Sequence, residues 1–534
     1  GMSARELERV AREASDTDGS VGRRAVEALR ERCCAGLDRH GRAKDDLVRQ
    51  LLQVERALRA ELTPAGKAAW QTLVGEIGAR QAADIDLPVN DTPYWQEEPK
   101  PLDGFRSSSR LLQRADVVII GAGLTGTSAA YHLLPRIRRG LRVVVLEAGS
   151  FPAGQASGRN GGNFELMPEN FLGDYEGLPR EREKWLARTR KGLRGDALRA
   201  LADRQARMIL EFCRRNTERL LSIVPRERVE CDLSPAGWLR IADTKNEEKA
   251  LALEVALAAE LGIGLDFWSP REVKQRTRVP ARYGGRYARR SGNYHPWKLV
   301  NGLLARATRR GLSLYTGCPV LGLSRARDGS LRVETAEGRI TTRAVIMATN
   351  AFTSTLLPEL AWVRYYQSQI LTLEHVEDTL GGMTVTEKKG DLYYNFPRAR
   401  RYTDGAGARR GMLLAGGGLD RPGSDPAVLR RSRAVLELVL SQTDERFPLT
   451  RGQPPSRLWT GPMAFTPDRL PALGHFRIKG HPSGIIVAAG FNGYGGSYCL
   501  EAGHVAAGLA LGGSAPAHAP EDMFSPNRFD VARR

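Results

Sequence analysis

A chain of 534 residues can bury more than one hydrophobic core, and a composition of 41% hydrophobic and 26% charged residues excludes disordered and fibrous classes. No apolar run reaches the roughly 18–20 residues that a membrane span needs, and the polar first residues do not predict a secretory signal. The net charge of +19 comes mainly from arginines in short, scattered groups, which favours an anionic substrate or cofactor over a nucleic-acid-binding surface.

The first 114 residues divide into a helical extension and a linker. Apolar residues recur at helical spacing through residues 1–80, which predicts several helices there. Residues 81–114 are rich in Pro, Asp and Ser, lack periodicity and are predicted to form an extended linker. The main fold is therefore expected to begin at Ala115.

From Ala115 onward, strand-like and helix-like segments alternate, which predicts an α/β fold. The sequence VVIIGAGLTG places Gly121, Gly123 and Gly126 directly after a predicted strand and at the start of a helix. This G-x-G-x-x-G spacing permits a tight turn, lets a pyrophosphate approach the helix N-terminus, and allows close packing of helix on strand. Glu147 ends the next predicted strand, where a carboxylate accepts from a ribose 2′-hydroxyl and disfavours the 2′-phosphate of NADP. These residues predict a site for NAD or FAD.

The segment after this strand, ASGRNGG, distinguishes the two cofactors. It resembles the D-amino acid oxidase superfamily of FAD enzymes, in particular the branch of glycine oxidase, sarcosine oxidase and gamma-glutamylputrescine oxidoreductase. The resemblance implies that Ser157 and Arg159 meet the pyrophosphate of FAD. It also implies that Asn160, Gly161 and Gly162 run beside the isoalloxazine ring.

Three later segments resemble the same family in the same order. They imply an adenine contact at Val320, a returning strand that ends at Ala348 and Thr349, and a glycine-rich turn, GFNGYGG, that leads into a helix. The N-terminus of that helix would face the N1–C2=O edge of the flavin, where reduction places negative charge. The predicted cofactor-binding residues are Gly121, Gly123, Leu124, Thr125, Gly126, Glu147, Ala148, Ser157, Gly158, Arg159, Asn160, Gly161, Gly162, Val320, Ala348, Thr349, Gly490, Asn492, Gly493, Tyr494, Gly495 and Gly496.

The resemblance covers about residues 115–512 and implies two domains after the helical extension. A Rossmann-like FAD-binding domain is expected to comprise residues 115–165, 290–360 and 455–513. A mixed-sheet α+β substrate domain is expected at residues 166–289 and 361–454, with a C-terminal tail at 514–534.

The family activity implies oxidation of a C–N bond in an amino acid or amine, by hydride transfer to flavin N5. The protein must then orient the charged end of the substrate. The sequence DLYYNFPRARR resembles a family strand ending in Tyr-x-x-Pro-Arg, which implies a carboxylate clamp of Tyr394 and Arg398. Solvated arginines at a strand edge are the alternative. Asn163 and His295 complete the predicted catalytic set, although a histidine before a proline is more often structural.

Other features bear on cofactor attachment and partners. Gly461 stands where monomeric sarcosine oxidases have the cysteine that attaches FAD, so dissociable FAD is expected. The expected partners are an amino acid or amine and either oxygen or another electron acceptor. Six scattered cysteines predict neither a disulfide framework nor a metal site and favour the cytoplasm. A tRNA-modifying flavoenzyme, which the net charge fits, and a non-catalytic flavin-binding protein remain alternatives.

Overall fold

The computed structural model describes residues 90–97, 110–166, 177–387, 391–420, 425–478 and 481–529. The helices predicted within residues 1–80 lie outside these ranges. By its internal contacts the chain divides into two units, one of Gly1–Leu87 with Arg430–Glu437 and the other of Pro88–Leu429 with Leu438–Arg534. Every strand described below belongs to the second unit.

Strands and α-helices alternate along most of the described part of the chain. The strands are β1 (Val117–Ile120), β2 (Val143–Leu146), β3 (Asn163–Phe164), β4 (Trp238–Ile241), β5 (Leu265–Trp268), β6 (Gly285–Ala288), β7 (Gly292–Asn293), β8 (Ser313–Tyr315), β9 (Val320–Arg325), β10 (Leu331–Thr335), β11 (Gly338–Thr342), β12 (Ala344–Met347), β13 (Arg364–Glu377), β14 (Thr384–Glu387), β15 (Leu392–Asn395), β16 (Arg401–Thr403), β17 (Arg409–Asp420), β18 (Arg457–Phe465), β19 (Ala472–Ile478) and β20 (His481–Ala489). The α-helices are α1 (Leu124–Ile137), α2 (Leu178–Thr189), α3 (Gly195–Arg226), α4 (Lys245–Glu260), α5 (Pro270–Thr277), α6 (Pro296–Arg309), α7 (Thr353–Leu356), α8 (Arg433–Arg446), α9 (Gly495–Ala510) and α10 (Glu521–Phe524). Among the described residues, no helix is long and apolar enough to cross a membrane.

The first sheet has six strands in the order β19-β20-β12-β1-β2-β8. All neighbours are parallel except β19, which forms an antiparallel hairpin with β20 at one edge. The strands β1, β2 and β12 are apolar and fully buried, as expected for parallel strands covered on both faces. The predicted Rossmann-like α/β architecture is confirmed.

Helices α1 and α9 begin at the same edge of the first sheet. They follow β1 and β20, and both strands run parallel to β12, so their carboxyl ends lie together. The two helices pack closely at Gly503, where a Cβ atom would lie 2.5 Å from the carbonyl oxygen of Thr125. Ser128 Oγ also donates to the Leu500 carbonyl at 2.6 Å. Two helix N-termini are therefore brought to one place.

The second sheet has nine strands, with the order β18-β13-β17-β15-β14-β4-β6-β5 and with β16 paired to β17. Its strands β4 and β14 are parallel, and its other pairs are antiparallel. Strand β18 falls in the range predicted for the FAD-binding domain, yet it pairs with β13 from Arg364↔Phe465 to Thr372↔Arg457. The second sheet therefore extends beyond the predicted boundary at residue 455. Two smaller sheets consist of β9–β11 and of β3 with β7.

Two segments predicted as a linker and a tail contribute to the core. Tyr94 and Trp95, in a 3-10 turn at Tyr94–Gln96, are each only 1% exposed. In the C-terminal segment Met523 and Phe524 are buried, and Arg528 forms an ion pair with Asp468 at 2.8 Å. The predicted linker is thus wrong for residues 90–97, because large aromatic side chains bury there in a segment too short to show periodicity.

Candidate active site

A cavity of about 410 Å³ lies between the carboxyl edge of the first sheet and one face of the second. One side, the glycine-rich wall, consists of the first turns of α1 and α9 and of residues 156–161. The other side, the sheet wall, consists of residues from β4, β14, β15, β17 and β18, with Arg469 after β18. The two walls belong to different sheets and enclose one space.

The turn after β1 requires glycine for steric reasons. Gly121 has a φ of +100°, and a Cβ atom there would lie 2.6 Å from the carbonyl oxygen of Ala348. A Cβ atom on Gly126 would lie 1.9 Å from the carbonyl oxygen of Gly121. The turn can therefore close tightly against both its own helix and β12 only without these side chains.

The first turn of α1 presents backbone amides to the cavity. The first hydrogen bond of the helical ladder runs from Thr127 N–H to the Gly123 carbonyl at 2.9 Å, so the preceding amides lie outside the ladder. One of them, Leu124 N–H, donates to Ser157 Oγ at 2.9 Å. Gly123, Leu124 and Thr125 line the cavity. This arrangement at a helix N-terminus is suited to an anion, and Ser157 connects the helix start to the loop at residues 156–162.

Glu147 is held at the end of β2 by two backbone amides. Its Oε2 accepts from Ala122 N–H and its Oε1 accepts from Gly149 N–H, both at 2.8 Å. Burial raises the pKa of the Glu147 carboxyl, while these two hydrogen bonds act in the opposite direction. The carboxylate thus has a fixed orientation beside the glycine turn.

The loop at residues 156–162 is organised by Asn160. Its Oδ1 accepts from Gly162 N–H at 2.7 Å, and its Nδ2 donates to the Ser157 carbonyl at 3.0 Å. Arg159 Nε donates to the Thr460 carbonyl of β18 at 2.6 Å. The loop is therefore held by hydrogen bonds within itself and by one to the second sheet.

The glycine at position 161 lets the sheet wall approach the loop. A Cβ atom on Gly161 would lie 2.2 Å from the ring of Tyr393. A similar contact occurs at the start of α9, where a Cβ atom on Gly496 would lie 1.9 Å from the Asn163 carbonyl oxygen. Asn216 Nδ2 donates to the Gly496 carbonyl at 2.7 Å and fixes this helix start.

The sheet wall carries polar and aromatic side chains on one face. Thr386 lies opposite Arg240 on the parallel neighbour strand and opposite Tyr393 on the antiparallel one, so all three share a face. Trp238, two residues before Arg240, donates from Nε1 to Thr386 Oγ1 at 3.0 Å. Arg240 is 2% exposed, and its Nη2 lies 3.7 Å from Glu247 Oε1.

Charges of both signs line the cavity. In addition to Arg240, Arg469 lines it, with its guanidinium carbon 4.9 Å from the ring centre of Phe465. Burial lowers the pKa of Arg469. Glu165, which is 3% exposed, and Asp391 also line the cavity. Such a mixture suits a ligand that has both an anionic and a cationic end.

The structure does not bring Tyr394 and Arg398 to the cavity. Side chains alternate along β15, so Tyr393 faces the cavity and Tyr394 faces away from it. Tyr394 is fully buried, and its hydroxyl donates to Glu387 Oε1 at 2.7 Å. Arg398 is exposed and donates from Nη1 to the Leu233 carbonyl at 3.2 Å. The predicted carboxylate clamp is therefore not formed by this pair.

His295 also lies outside the cavity lining, where it caps a helix and packs in the core. It is the N-cap of α6, where its Nδ1 accepts from Lys298 N–H at 3.2 Å. Its ring packs edge-on against Trp95 with ring centres 4.8 Å apart. Burial, the largest cause, lowers the pKa of His295 to about 3.

Most other predicted residues are brought together, with Asn163 among them. The predicted residues that line the cavity are Gly123, Leu124, Thr125, Ser157, Arg159, Asn160, Gly161, Asn163, Ala348, Asn492, Gly493, Tyr494, Gly495 and Gly496. Those outside the lining are Gly121, Gly126, Glu147, Ala148, Gly158, Gly162, Val320, Thr349 and Gly490. Asn163 Oδ1 accepts from Asn395 Nδ2 at 2.7 Å.

Several residues line the cavity that the sequence did not predict, among them Trp238, Arg240, Tyr393 and Arg469. One signal was available for Arg240, since an arginine alternating with apolar residues in GWLRIA is unusual on a buried strand face. No comparable signal distinguishes Tyr393 from its neighbour in the pair of tyrosines.

The glycine-rich wall fits FAD. It combines backbone amides outside a helical ladder, a fixed carboxylate at the end of β2, and close approaches that a Cβ atom at Gly161 or Gly496 would block. The start of α9 adds a second helix N-terminus to the lining, and such a terminus is suited to the negative charge that a flavin gains on reduction.

Comparison with known proteins supports this assignment. A family model described as "FAD dependent oxidoreductase" matches residues 116–509. The gamma-glutamylputrescine oxidoreductase of Escherichia coli (strain K12) is 26% identical over 405 residues, which cover 74% of this chain and 84% of that protein. The protein named "Probable oxidoreductase OrdL" of Rhizobium meliloti is 28% identical over 438 residues, which cover 80% of this chain and 90% of that protein.

Solved structures show the same fold. Glycine oxidase from Geobacillus kaustophilus aligns with a TM-score of 0.61 at 20% identity, covering 78% of this chain and 99% of that one. L-Proline dehydrogenase from P. horikoshii aligns with a TM-score of 0.60 at 19% identity, covering 79% of this chain and 99% of that one.

Proposed function

This chain belongs to the family of FAD-dependent oxidoreductases, whose relatives act on amines and amino acids, and we propose that it oxidises a C–N bond of an amine that carries a carboxylate. The observation that supports this proposal is the cavity itself. Its glycine-rich wall fits the cofactor, and its sheet wall places charges of both signs within the same space.

The glycine-rich wall would hold FAD. The amide of Thr125 and the hydroxyl of Ser157, which accepts from the Leu124 amide, are suited to the pyrophosphate, and Glu147 is suited to the ribose. When bound, FAD supplies an acceptor for two electrons and the hydrogen of a substrate C–H bond. Because Gly461 replaces the cysteine of the covalent relatives, we expect the cofactor to be dissociable.

The sheet wall would orient the substrate. Arg240 and Arg469 offer guanidinium groups to a carboxylate. Asp391, just before β15, and Glu165, which follows β3 and lines the same cavity, offer carboxylates to an amine. Trp238 and Tyr393 add rigid aromatic surface to the same lining. A zwitterionic amino acid matches this pattern better than a polyamine, because a second cationic end would meet the arginines.

The chemistry requires little acid–base catalysis from the chain. The neutral amine is the form that gives up hydride, so the bound amine must lose its proton before the oxidation. We therefore expect the limiting rate of reduction to rise with pH through the pKa of the bound amine.

The proposal includes an electron acceptor and a compartment. We propose that oxygen or another acceptor removes the electrons after substrate oxidation. We place the reaction in the cytoplasm, because the four described cysteines, Cys213, Cys231, Cys318 and Cys499, are free thiols.

An anaerobic screen of amino acids and amines tests the proposal. A substrate should bleach the flavin absorption near 450 nm, a property of the cofactor itself. Zwitterionic amino acids and N-substituted amino acids should reduce the flavin faster than diamines of equal length. If no compound of either class bleaches the flavin, the enzyme proposal fails.

The same preparation separates the alternatives. Salt-sensitive RNA binding together with an unreduced flavin would favour a tRNA-modifying enzyme. Bound flavin that resists every reductant class, with no RNA binding, would favour a non-catalytic flavin-binding protein.

A further inference from the structure

Residues 90–97, which we call the strap, contact the flavin-binding loop from outside the family-matched region. The family match begins at residue 116. The flavin-binding loop is here taken as residues 154–162, which extends the loop at residues 156–162 described above by two residues. Both ends of the strap are fixed to β18. Leu458 N–H donates to the Asn90 carbonyl at 3.0 Å, and Glu97 forms an ion pair with Arg457. The strap is therefore held firmly against the second sheet beside the loop.

The middle of the strap supplies hydrogen-bond donors to the loop carbonyls. Trp95 Nε1 donates to the Asn160 carbonyl at 2.7 Å. Gln96 Nε2 lies 3.4 Å from the Gly158 carbonyl oxygen and 3.5 Å from that of Gly154. These acceptors belong to a loop with several glycines, whose conformation costs entropy to fix.

The Trp95 ring also limits where the loop can lie. A Cβ atom on Gly162 would come within 2.9 Å of the Trp95 ring, so the ring packs directly on the backbone of the loop. The opposite side of the loop carries Ser157, Asn160 and Gly161 in the cavity lining. Asn160 thus connects the two sides, since its carbonyl receives the strap and its side chain organises the loop.

From these contacts we propose that the strap is a cofactor-positioning element that pre-orders the loop at residues 154–162 for FAD. The loop then binds FAD without a further ordering cost, and the strap raises cofactor affinity without touching the cofactor. This inference rests on FAD binding by the family and is independent of the substrate proposed above.

The test measures FAD affinity and apoprotein stability separately in the full chain. Trp95→Phe keeps an aromatic ring and removes the Nε1–H donor. The matched control is Trp268→Phe, which alters another buried tryptophan, stacked on Tyr287 at 4.1 Å in the second sheet. Titration of each apoprotein with FAD, followed by flavin fluorescence, gives Kd, and thermal unfolding of the apoprotein gives Tm.

We expect Trp95→Phe to weaken FAD binding about tenfold relative to the control, on the scale of one lost buried hydrogen bond. Its apoprotein Tm should fall no further than that of Trp268→Phe. Equal FAD affinity in the two variants would overturn the proposal, because the strap would then only stabilise the fold.

A second variant keeps the test decisive if Trp95→Phe does not fold. Gln96 is partly exposed, so Gln96→Ala should leave the apoprotein folded. It should still weaken FAD binding, by about threefold. An unchanged Kd in Gln96→Ala would then count against the strap.

Discussion

The two walls of the cavity differ in how the sequence specifies them. The glycine-rich wall depends on the backbone, since Gly121, Gly126 and Gly496 are needed because any Cβ atom would strike a carbonyl oxygen. The sheet wall depends on side chains, whose direction follows from strand alternation and pairing. A tight backbone turn can be recognised from a short sequence motif. A surface built from side chains of β4, β14 and β15 can be recognised only once the strand pairing is known. The predictions below perturb one wall at a time.

The largest effect is expected from a methyl group in the glycine-rich wall. Gly126→Ala places Cβ against the Gly121 carbonyl, so the turn must open, and FAD affinity should fall about 100-fold. Gly508→Ala is the matched control, because a Cβ atom at that exposed helical position meets nothing within 4 Å. FAD titration of both apoproteins gives the comparison. Wild-type affinity in Gly126→Ala would contradict the steric account.

The sheet wall is tested by conservative arginine variants. Arg240→Lys replaces a two-pronged donor by a point charge and should raise KM for a carboxylate-bearing substrate about 10–100-fold. Arg398→Lys alters an exposed arginine outside the cavity and should leave the kinetics unchanged. Steady-state kinetics, with FAD content measured for each variant, separate the two walls. The reverse pattern would restore the clamp predicted from the sequence.

A smaller effect is expected at the end of β2. Glu147→Gln presents an amide donor where two backbone N–H groups need acceptors, so FAD affinity should fall about 5–30-fold. Glu334→Gln, which alters a half-buried carboxylate paired with Arg339 outside the cavity lining, should leave FAD affinity at the wild-type value. Isothermal titration with FAD measures both, and equal affinities would mean that Glu147 only supports the turn.

The smallest effect concerns stability rather than binding. Because the pKa of His295 is lowered to about 3, the unfolded state takes up a proton near pH 6.5 that the folded state does not. This residue's contribution is therefore present above pH 6.5 and is lost as pH falls towards 3. Between pH 6.5 and 5.5 wild type should lose about 1 kcal/mol more than His295→Asn, which keeps an N-cap acceptor. Denaturant unfolding at the two pH values measures this difference, and parallel losses would contradict it.

The sequence predicted FAD as the cofactor for a physical reason. Tight turns and helix starts need glycines at fixed spacing, so the turns before α1 and α9 could be recognised from the sequence, and their residues remain predicted FAD contacts. The prediction for the sheet wall depended on which of two adjacent tyrosines faces the cavity. The pairing of β15 with β14 and β17 determines this orientation. The family resemblance indicated Tyr394, whereas the observed register turns Tyr393 towards the cavity.

The segment before the family match differs from its sequence prediction for a definable reason. Within residues 90–97, Tyr94 and Trp95 are the large buried side chains. The segment is too short to show a periodic pattern of apolar residues. Proline and acidic residues around them are typical of a linker. Their fixation depends on β18, which lies far away in sequence.

The central claim is that the two walls enclose one reaction site, with FAD held by the glycine-rich wall and the carboxylate of an amine substrate held by the sheet wall. The most direct measurement is anaerobic stopped-flow reduction of the flavin by an amino acid substrate and by its decarboxylated amine, in wild type and in Arg240→Lys. The account predicts that, at the same subsaturating concentration, the amino acid reduces the wild-type flavin at least about tenfold faster than its decarboxylated amine does. Arg240→Lys should largely remove this preference. Equal reduction by both compounds in wild type, or a preference that Arg240→Lys leaves intact, would contradict it.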